Sequence, residues 1–188
     1  MLIIGITGTL GAGKGTIVDF LVSDFGFSHF SVRAFLSEEI NRRGYTVNRD
    51  TLTSVANELR AAHSPAYIID ELFKKAQKSG ENCIIESIRT PGEVLSLKGK
   101  GNFYLFAADA DPEVRYERIK IRNSETDDID FDTFLDNELR EMTSTDPNKQ
   151  NLKKCIQIAD YTFYNNGSRR DLNNEVKKIL NQIIKFNG

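Results

Sequence analysis

Residues 3–16 of the chain read IIGITGTLGAGKGT, a short apolar run followed by a glycine-rich segment. The apolar run, Leu2 to Ile6, has the length and composition of a buried strand. Four glycines and one lysine lie between positions 8 and 15, and the next apolar residues recur at helical spacing, at Ile17, Val18, Leu21 and Phe25. The order of strand, glycine-rich loop and helix predicts a site where backbone N–H groups surround phosphate groups.

The segment contains the pattern GxxxxGK, which assigns expected roles to its residues. Glycines in the loop let the backbone approach a nucleotide closely, and the start of the following helix adds a partial positive charge. We expect Lys14 to reach the outer phosphates as a point charge. The predicted nucleotide-binding residues are Gly8, Gly11, Ala12, Gly13, Lys14, Gly15 and Thr16. The alternative is a glycine-rich turn that binds no ligand.

The position after the lysine departs from the usual pattern. That position is normally Ser or Thr, whose hydroxyl binds Mg²⁺, but this chain has Gly15 there, with Thr16 behind it. The run GTLGAGKGT resembles the glycine-rich loop of adenylate kinases and other nucleoside monophosphate kinases, which also read GKG followed by Ser or Thr. The resemblance implies ATP as the phosphoryl donor, and Mg²⁺ held mostly through water and phosphate oxygens.

Length and charge limit the class of protein. The 188 residues are enough for one domain, with 39% hydrophobic and 28% charged residues, as in a soluble globular chain. A formal charge of -2 gives no basic field, so nucleic acid is not an expected partner. The sequence does not indicate an oligomeric state.

The sequence also suggests a compartment. No basic segment precedes the first apolar run and no apolar span reaches 18 residues, so we expect neither a signal peptide nor membrane association. The cytoplasm is the default. Cys83 and Cys155 lie far apart in apolar settings, and we expect both to be small buried side chains rather than parts of a disulfide or zinc site.

Strand and helix patterns alternate along the whole chain. After the first strand, predicted strands cover residues 26–31, 83–85, 102–108 and 161–164. Predicted helices cover residues 17–25, 33–43, 52–62, 65–78, 113–122, 131–142, 152–158 and 172–183. This alternation predicts a three-layer α/β/α domain over residues 1–188, with a mostly parallel five-stranded sheet. Right-handed crossovers would bring Lys14 close to residues 86–89, beyond the carboxyl ends of the strands.

The segment Glu86-Ser87-Ile88-Arg89 resembles the Asp-Gly-x-(Pro)-Arg segment of nucleoside monophosphate kinases and dephospho-coenzyme A kinases. In that branch the acidic residue orients magnesium through water and the arginine binds the acceptor's phosphate. The resemblance therefore implies Thr16 and Glu86 near the metal and Arg89 on the acceptor. The position of Glu86 and Arg89 after a buried strand also favours ligand binding over a structural role.

Two arginines precede a polar connector, residues 123–130. Arg118 and Arg122 lie one helical turn apart and resemble the lid arginines of the same branch, of which one packs by the adenine and the other reaches the moving phosphoryl group. Arg140 is an alternative for the second of these roles. The resemblance implies a lid at about residues 118–140, an acceptor-binding helical region at about residues 32–79, and a catalytic set of Lys14, Arg89, Arg118 and Arg122.

Residues 159–168, ADYTFYNNGS, are similar to the final strand and adenine-side loop of dephospho-coenzyme A kinases, which implies that Asn165 and Gly167 contact the nucleotide. The same run, with VANELRAAHSPA and SIRTPGEV, is similar to a little-characterised archaeal group of nucleotide-kinase-like proteins. The resemblance covers nearly the whole chain. It implies the P-loop nucleoside triphosphate hydrolase fold with a short lid.

The acceptor site departs from both kinds of kinase. Dephospho-coenzyme A kinases carry an Asp after the second strand as general base, whereas residues 31–35 of this chain read SVRAF. Adenylate kinases carry an arginine at the position of Ser37. Arg33 in place of a base favours an anionic acceptor, such as a nucleoside monophosphate. The alternatives are transfer to a hydroxyl, as in dephospho-coenzyme A kinases, and a nucleotide-sensing protein that transfers nothing.

Several other polar residues have ordinary structural interpretations. We expect Arg115 to be a solvated surface residue or to pair with Asp111 within its helix. Asn57 and Arg60 are expected on an exposed helix face, with the acceptor pocket as the alternative. His29 is expected to be a strand residue that faces a helix or solvent rather than a ligand.

Overall fold

The computed structural model of the protein describes residues 1–124 and 127–187. Within these residues the chain forms five strands and nine helices. The strands are β1 (Ile3–Gly8), β2 (Ser28–Ser31), β3 (Cys83–Glu86), β4 (Phe103–Asp109) and β5 (Tyr161–Tyr164). The helices are α1 (Lys14–Phe25), α2 (Val32–Arg42), α3 (Arg49–Ala62), α4 (Tyr67–Ser79), α5 (Pro91–Lys98), α6 (Pro112–Arg122), α7 (Phe131–Met142), α8 (Leu152–Gln157) and α9 (Arg169–Asn187).

The five strands form one sheet in the order β2-β3-β1-β4-β5, and all neighbouring strands run parallel. The predicted α/β fold with a five-stranded parallel sheet is confirmed. The central strand β1 is buried along its whole length, which explains its uninterrupted apolar sequence. Because β1 and β3 are parallel neighbours, the loops that follow them meet beyond the carboxyl ends of the strands.

The hydrophobic core has two parts, one on each face of the sheet. Ile3 and Leu105 belong to the part that α2, α3, α4, α5 and α8 cover. Ile4 and Phe106 point to the opposite face and pack with residues of α1 and α9. Consecutive strand residues point to opposite faces, so a strand with apolar residues at every position can serve both parts of the core.

Most helix bounds agree with the sequence pattern, and α7 covers the predicted residues 131–142. Asn48 caps α3, and its side chain accepts a 2.9 Å hydrogen bond from the backbone N–H of Thr51. The longest helix is α9, with 19 residues. Across the parts of the chain that the structure describes, no helix combines the length and apolar character needed to cross a membrane.

The sequence pattern does not predict α5, although its start carries a local signal. Thr90 and Glu93 form a capping box: Thr90 Oγ1 accepts from the Glu93 N–H at 3.2 Å, and Glu93 Oε2 accepts from the Thr90 N–H at 3.0 Å. Pro91 occupies the first turn, where its missing N–H is harmless. The run Thr-Pro-Gly-Glu is therefore sufficient to indicate where this helix begins.

The prediction that Arg60 lies on an exposed helix face is wrong. Arg60 has only 1% of its surface exposed and forms an ion pair with the fully buried Glu93, with Nη2 and Oε1 2.9 Å apart. The partner comes from α5, which packs beside α3 and α4 at the sheet. A buried guanidinium on α3 is acceptable only because this carboxylate compensates its charge.

The two cysteines are buried and free, as predicted. Burial raises the pKa of the Cys83 thiol to about 11 and that of the Cys155 thiol to about 12. Both thiols are therefore protonated at neutral pH and pack as small apolar side chains.

Candidate functional site

A cavity of about 520 Å³ opens at the carboxyl ends of β1 and β3. The glycine-rich loop, α2, α3 and α6 contribute to its wall, as do residues 86–89. The cavity brings together the four residues predicted as catalytic, Lys14, Arg89, Arg118 and Arg122, and the two predicted near a metal, Thr16 and Glu86. Of the predicted nucleotide-binding residues, Gly11, Gly13, Lys14, Gly15 and Thr16 line it, and Gly8, Ala12, Asn165 and Gly167 do not.

The loop between β1 and α1 has a backbone that requires glycine. Gly8 and Gly13 have φ values of 131° and 98°, a region that side chains disfavour. A Cβ on Gly8 would lie 2.0 Å from the carbonyl oxygen of Ala108, and one on Gly13 would lie 2.3 Å from Nδ2 of Asn165. Gly13 precedes α1 and offers no side-chain acceptor to the first N–H groups of the helix, so these donors suit an anion.

Lys14 lies at the start of α1, and its ammonium group folds back onto the loop. Its Nζ donates hydrogen bonds to the carbonyls of Gly8, at 2.9 Å, and Thr9, at 2.6 Å. Burial and the charge of Arg89 lower the pKa of Lys14 to about 7, although Glu86 acts in the opposite direction. The charge of Lys14 at neutral pH is therefore sensitive to any anion that enters the cavity.

Glu86 ends β3 and accepts a hydrogen bond from His29 of β2, with Nε2 and Oε2 2.8 Å apart. Burial alone would raise the pKa of Glu86, but the hydrogen bond and charge of His29, with Lys14 nearby, hold it below its ordinary value. His29 is a strand residue at the sheet edge, as expected, and its partner is this carboxylate.

Thr16 and Glu86 supply oxygen donors of the kind that Mg²⁺ prefers. Among residues 1–124 and 127–187, no group of three or more His, Cys, Asp or Glu side chains is placed to hold a metal ion. Mg²⁺ commonly takes one or two protein ligands and completes its shell with water and substrate phosphates. The residues present therefore fit an ion that arrives with a nucleotide and do not fit a permanent metal site.

Ser87 follows Glu86 with a φ of 70°, in the left-handed region. The similar segment of the kinases named above has glycine at this position. A serine adopts this conformation at a cost of about 1 kcal/mol relative to glycine.

Arg89 lines the same cavity as Lys14 and contacts residues that the sequence does not single out. Its Nη1 donates to Oε1 of Gln150, at 2.7 Å, and to Oε2 of Glu141. Arg49, the first residue of α3, donates from Nη2 to Oε1 of Glu141 at 2.7 Å. Burial would raise the pKa of Glu141, but the charges of Arg89 and Arg49 hold it below its ordinary value.

Arg118 and Arg122 lie on the cavity face of α6. Arg118 donates to the main-chain carbonyls of Asn165, at 2.7 Å, and Gly167, at 3.2 Å. Arg122 donates through Nε and Nη2 to the carboxylate of Asp127, at 2.7 and 2.6 Å. Burial opposes ionisation of Asp127, but its hydrogen bonds with Arg122 and Ser124 lower its pKa to about 2. The pair ties α6 to the connector.

The prediction that Arg115 is a solvated surface residue is wrong. Only 2% of its surface is exposed, and its Nε donates to the carbonyl of Ala110 at 2.7 Å. Its guanidinium also donates to the carbonyl of Leu10, at 3.3 Å, and pairs with Glu138 of α7. Arg115 is the buried arginine at the start of α6, and it supports the glycine-rich loop and α7 at once.

Arg140 does not reach this cavity. It is exposed, donates to Asn137 one turn earlier, and lines a second cavity of about 350 Å³ together with Asn57 and Lys149. The two cavities adjoin, because both are lined by Arg49, Thr53, Glu141 and Gln150. The alternative in which Arg140 replaces Arg122 as second lid arginine therefore has no support in this arrangement.

Comparison with known proteins places the chain in a family. A family model described as an AAA domain, AAA_18, matches residues 4–146. A UPF0200 protein of Methanococcus maripaludis strain C6 is 30% identical over 97% of this chain and 100% of its own length. One from Thermococcus kodakarensis is 28% identical over 97% and 98%. The chain belongs to the AAA_18 family of AAA domains, and it is similar to these two UPF0200 proteins over nearly their full length.

Solved structures share the fold at low sequence identity. TT1252 from Thermus thermophilus has a TM-score of 0.64 at 20% identity, over 96% of this chain and 97% of that one. Shikimate kinase from Aquifex aeolicus scores 0.52 at 16% identity, over 96% and 97%. Dephospho-CoA kinase from Campylobacter jejuni scores 0.52 at 14% identity, over 96% of each chain. The protein therefore has the fold of P-loop kinases.

Proposed function

We propose that the protein is a kinase that transfers a phosphoryl group from ATP to a small nucleotide, with a nucleoside monophosphate as the best candidate acceptor. One observation carries the proposal. A single cavity is lined by the glycine-rich loop with Lys14, by Arg89, and by Arg118 and Arg122 of α6. Phosphoryl transfer requires this kind of positioning and charge neutralisation more than covalent chemistry.

At the donor end, backbone N–H groups of the loop and the start of α1 would bind the β- and γ-phosphates of ATP. Lys14 would exchange its carbonyl partners for phosphate oxygens, and Arg122 would exchange Asp127 for the transferring group. Thr16, with Glu86 through water, would hold Mg²⁺, which supplies charge neutralisation between the phosphates. Arg118 would keep its hydrogen bonds to the carbonyls of residues 165 and 167 and form the wall of the site on the adenine side.

At the acceptor end, the charges favour an anion. Arg33, Arg49, Arg60 and Arg89 line the cavity, and among these only Arg60 has its charge compensated by a fully buried carboxylate, that of Glu93. The only carboxylates in the described lining, Glu86 and Glu141, both have lowered pKa values and basic partners, so neither resembles a free general base. A phosphate acceptor is already ionised and needs no base, whereas a hydroxyl acceptor usually does.

The proposal is tested by measuring ADP formation in a coupled assay. The reactions contain ATP and Mg²⁺ with AMP, GMP, CMP, UMP or dephospho-coenzyme A, and Lys14→Ala serves as the blank. At least one monophosphate should accelerate ADP formation by the native protein and leave the blank unchanged. Turnover of dephospho-coenzyme A but of no monophosphate would show that the acceptor group is a hydroxyl and not a phosphate.

A second candidate is a nucleotide-binding protein without transferase activity. The observation that favours it is the engagement of Arg89 by Glu141, which occupies the guanidinium expected to bind the acceptor. Calorimetric ATP binding together with no transfer to any acceptor would select this candidate. Absence of ATP binding by folded protein would remove both.

A further inference from the structure

Glu141 is a carboxylate at the place where the acceptor's anion is expected. It reaches this place from α7, far along the chain from its two partners, Arg49 of α3 and Arg89 after β3. Each of its oxygens accepts a hydrogen bond from a different arginine, Oε1 from Arg49 at 2.7 Å and Oε2 from Arg89. A phosphate bound by both arginines would use the same donors, because guanidinium groups bind carboxylate and phosphate oxygens in the same way.

The arginine pair is accessible from the cavity, and the carboxylate is more enclosed. The side chains of Arg49 and Arg89 are 21% and 28% exposed, whereas that of Glu141 is 10% exposed. All three residues line the main cavity, and Gln150 adds only a neutral acceptor for Arg89. Two guanidinium groups face one carboxylate, so the cluster keeps one positive charge that Glu141 does not neutralise.

We propose that Glu141 is an internal competitor of the acceptor, and that it makes the pocket selective for dianionic phosphate groups. This inference rests on the proposed function, in which Arg89 receives the acceptor's phosphate. A singly charged anion that displaced Glu141 would only replace one carboxylate with an equivalent charge. A phosphate dianion neutralises both arginines, and it therefore gains the electrostatic energy that Glu141 leaves unused.

The competition has a calculable effect on affinity. If a binding site is free for only a fraction of the time, the apparent affinity falls by that fraction. A tenfold preference of the arginines for Glu141 over the free state would weaken acceptor binding about tenfold. Removing the charge of Glu141 while keeping its shape should therefore strengthen acceptor binding by the same factor.

The test compares the native protein with Glu141→Gln by calorimetric titration at pH 8, with ADP in excess to fill the glycine-rich loop. The probes are AMP, inorganic phosphate and acetate. For Glu141→Gln we expect AMP and phosphate to bind about tenfold more tightly than to the native protein. Acetate should bind measurably to the variant and not to the native protein. Weaker phosphate binding by the variant would overturn the proposal, because it would show that Glu141 only holds the arginines in position.

Glu138→Gln is the matched control. Glu138 lies one turn earlier on α7 and pairs with Arg115, away from the acceptor arginines. Its removal also loosens α7, so an equal gain in phosphate affinity in Glu138→Gln would overturn the proposal. If Glu141→Gln folds poorly, Glu141→Asp keeps the charge on a shorter side chain. Its phosphate affinity should then lie at or between the native value and tenfold tighter, and a larger gain contradicts the competition.

Binding and transfer fail separately in this design. A tighter phosphate complex in Glu141→Gln, with no transfer to any monophosphate by the native protein, would support the competitor and refute the kinase. Transfer by the native protein, with unchanged phosphate binding in Glu141→Gln, would support the kinase and refute the competitor.

Discussion

The side-chain amide of Asn165 donates a 2.9 Å hydrogen bond to the main-chain carbonyl of Ala12. The bond joins the residue after β5 to the glycine-rich loop, across 153 positions of sequence. Asn165 also accepts a hydrogen bond on its own main-chain carbonyl from Arg118, at 2.7 Å. It therefore connects the loop to an arginine of the cavity while lying outside the cavity lining.

Replacing this amide should weaken both the fold and the nucleotide site. In Asn165→Ala the carbonyl of Ala12, a residue with 0% exposure, loses its donor. We expect the free energy of unfolding to fall by about 1–3 kcal/mol, and the Kd for ATP to rise about tenfold as the loop loosens. Urea denaturation and calorimetry measure the two effects. Asn174→Ala, at an exposed position of α9, is the control, and equal stability of the two variants would contradict the role of the bond.

The buried pair of Arg60 and Glu93 predicts a large loss of stability on removal of one partner. In Arg60→Ala the carboxylate of Glu93 keeps its backbone donors at residues 89 and 90 but loses its compensating charge. We expect the free energy of unfolding to fall by about 3–5 kcal/mol. Arg42→Ala removes an exposed pair with Glu39 on α2 and should cost less than about 1 kcal/mol. Similar losses in the two variants would show that burial does not matter here.

The parts of the site that the sequence predicts are local in the chain. The glycine-rich loop, β1 and the start of α1 follow one another within residues 3–16, and their glycines report a backbone requirement that holds in any context. The segment after β3 is local in the same sense, because Glu86 and Arg89 lie within three positions of each other at the end of that strand. Parallel strand order then brings Arg89 and Lys14 to one cavity.

The parts that the sequence does not predict are pairs between distant elements. Arg60 and Glu93 are 33 positions apart, and Arg89 and Glu141 are 52 apart. From sequence alone, a charged residue on a helix is predicted to be exposed, because its buried partner is not known. The partners here lie on α5 and α7, whose positions in the fold depend on tertiary packing. Asn165 shows the same limit, because sequence similarity associates it with the nucleotide and its side chain in fact supports the loop.

ATP binding should change the protonation of Lys14. In the protein without nucleotide its pKa is about 7, below the ordinary value because of burial and Arg89. Phosphate oxygens favour the ammonium form and raise this pKa in the complex. Because the group is mostly neutral at pH 8 before binding, complex formation should take up close to one proton there, and the uptake should vanish below about pH 6.

Calorimetry in buffers with different ionisation enthalpies measures this proton uptake. Lys14→Arg is the control, since a guanidinium stays protonated at all of these pH values and its complex should take up no proton. Equal uptake by Lys14→Arg and the native protein would assign the proton to another group. No uptake by the native protein at pH 8 would show that Lys14 is already charged.

Removing the guanidinium of Arg122 should slow transfer far more than it weakens ATP binding. Arg122 lines the cavity but pairs with Asp127 in the protein without nucleotide, so we expect its contact with the transferring group to form only during the reaction. In Arg122→Ala, kcat should fall about 10²–10³-fold, with a change in the Kd for ATP below about threefold. Lys120→Ala removes an exposed cation from the same helix and should leave both quantities unchanged. An equal fall in kcat for the two variants, or a loss of ATP affinity that matches the loss of kcat in Arg122→Ala, would contradict a role in transfer, because an interaction made equally before and during the reaction does not raise kcat.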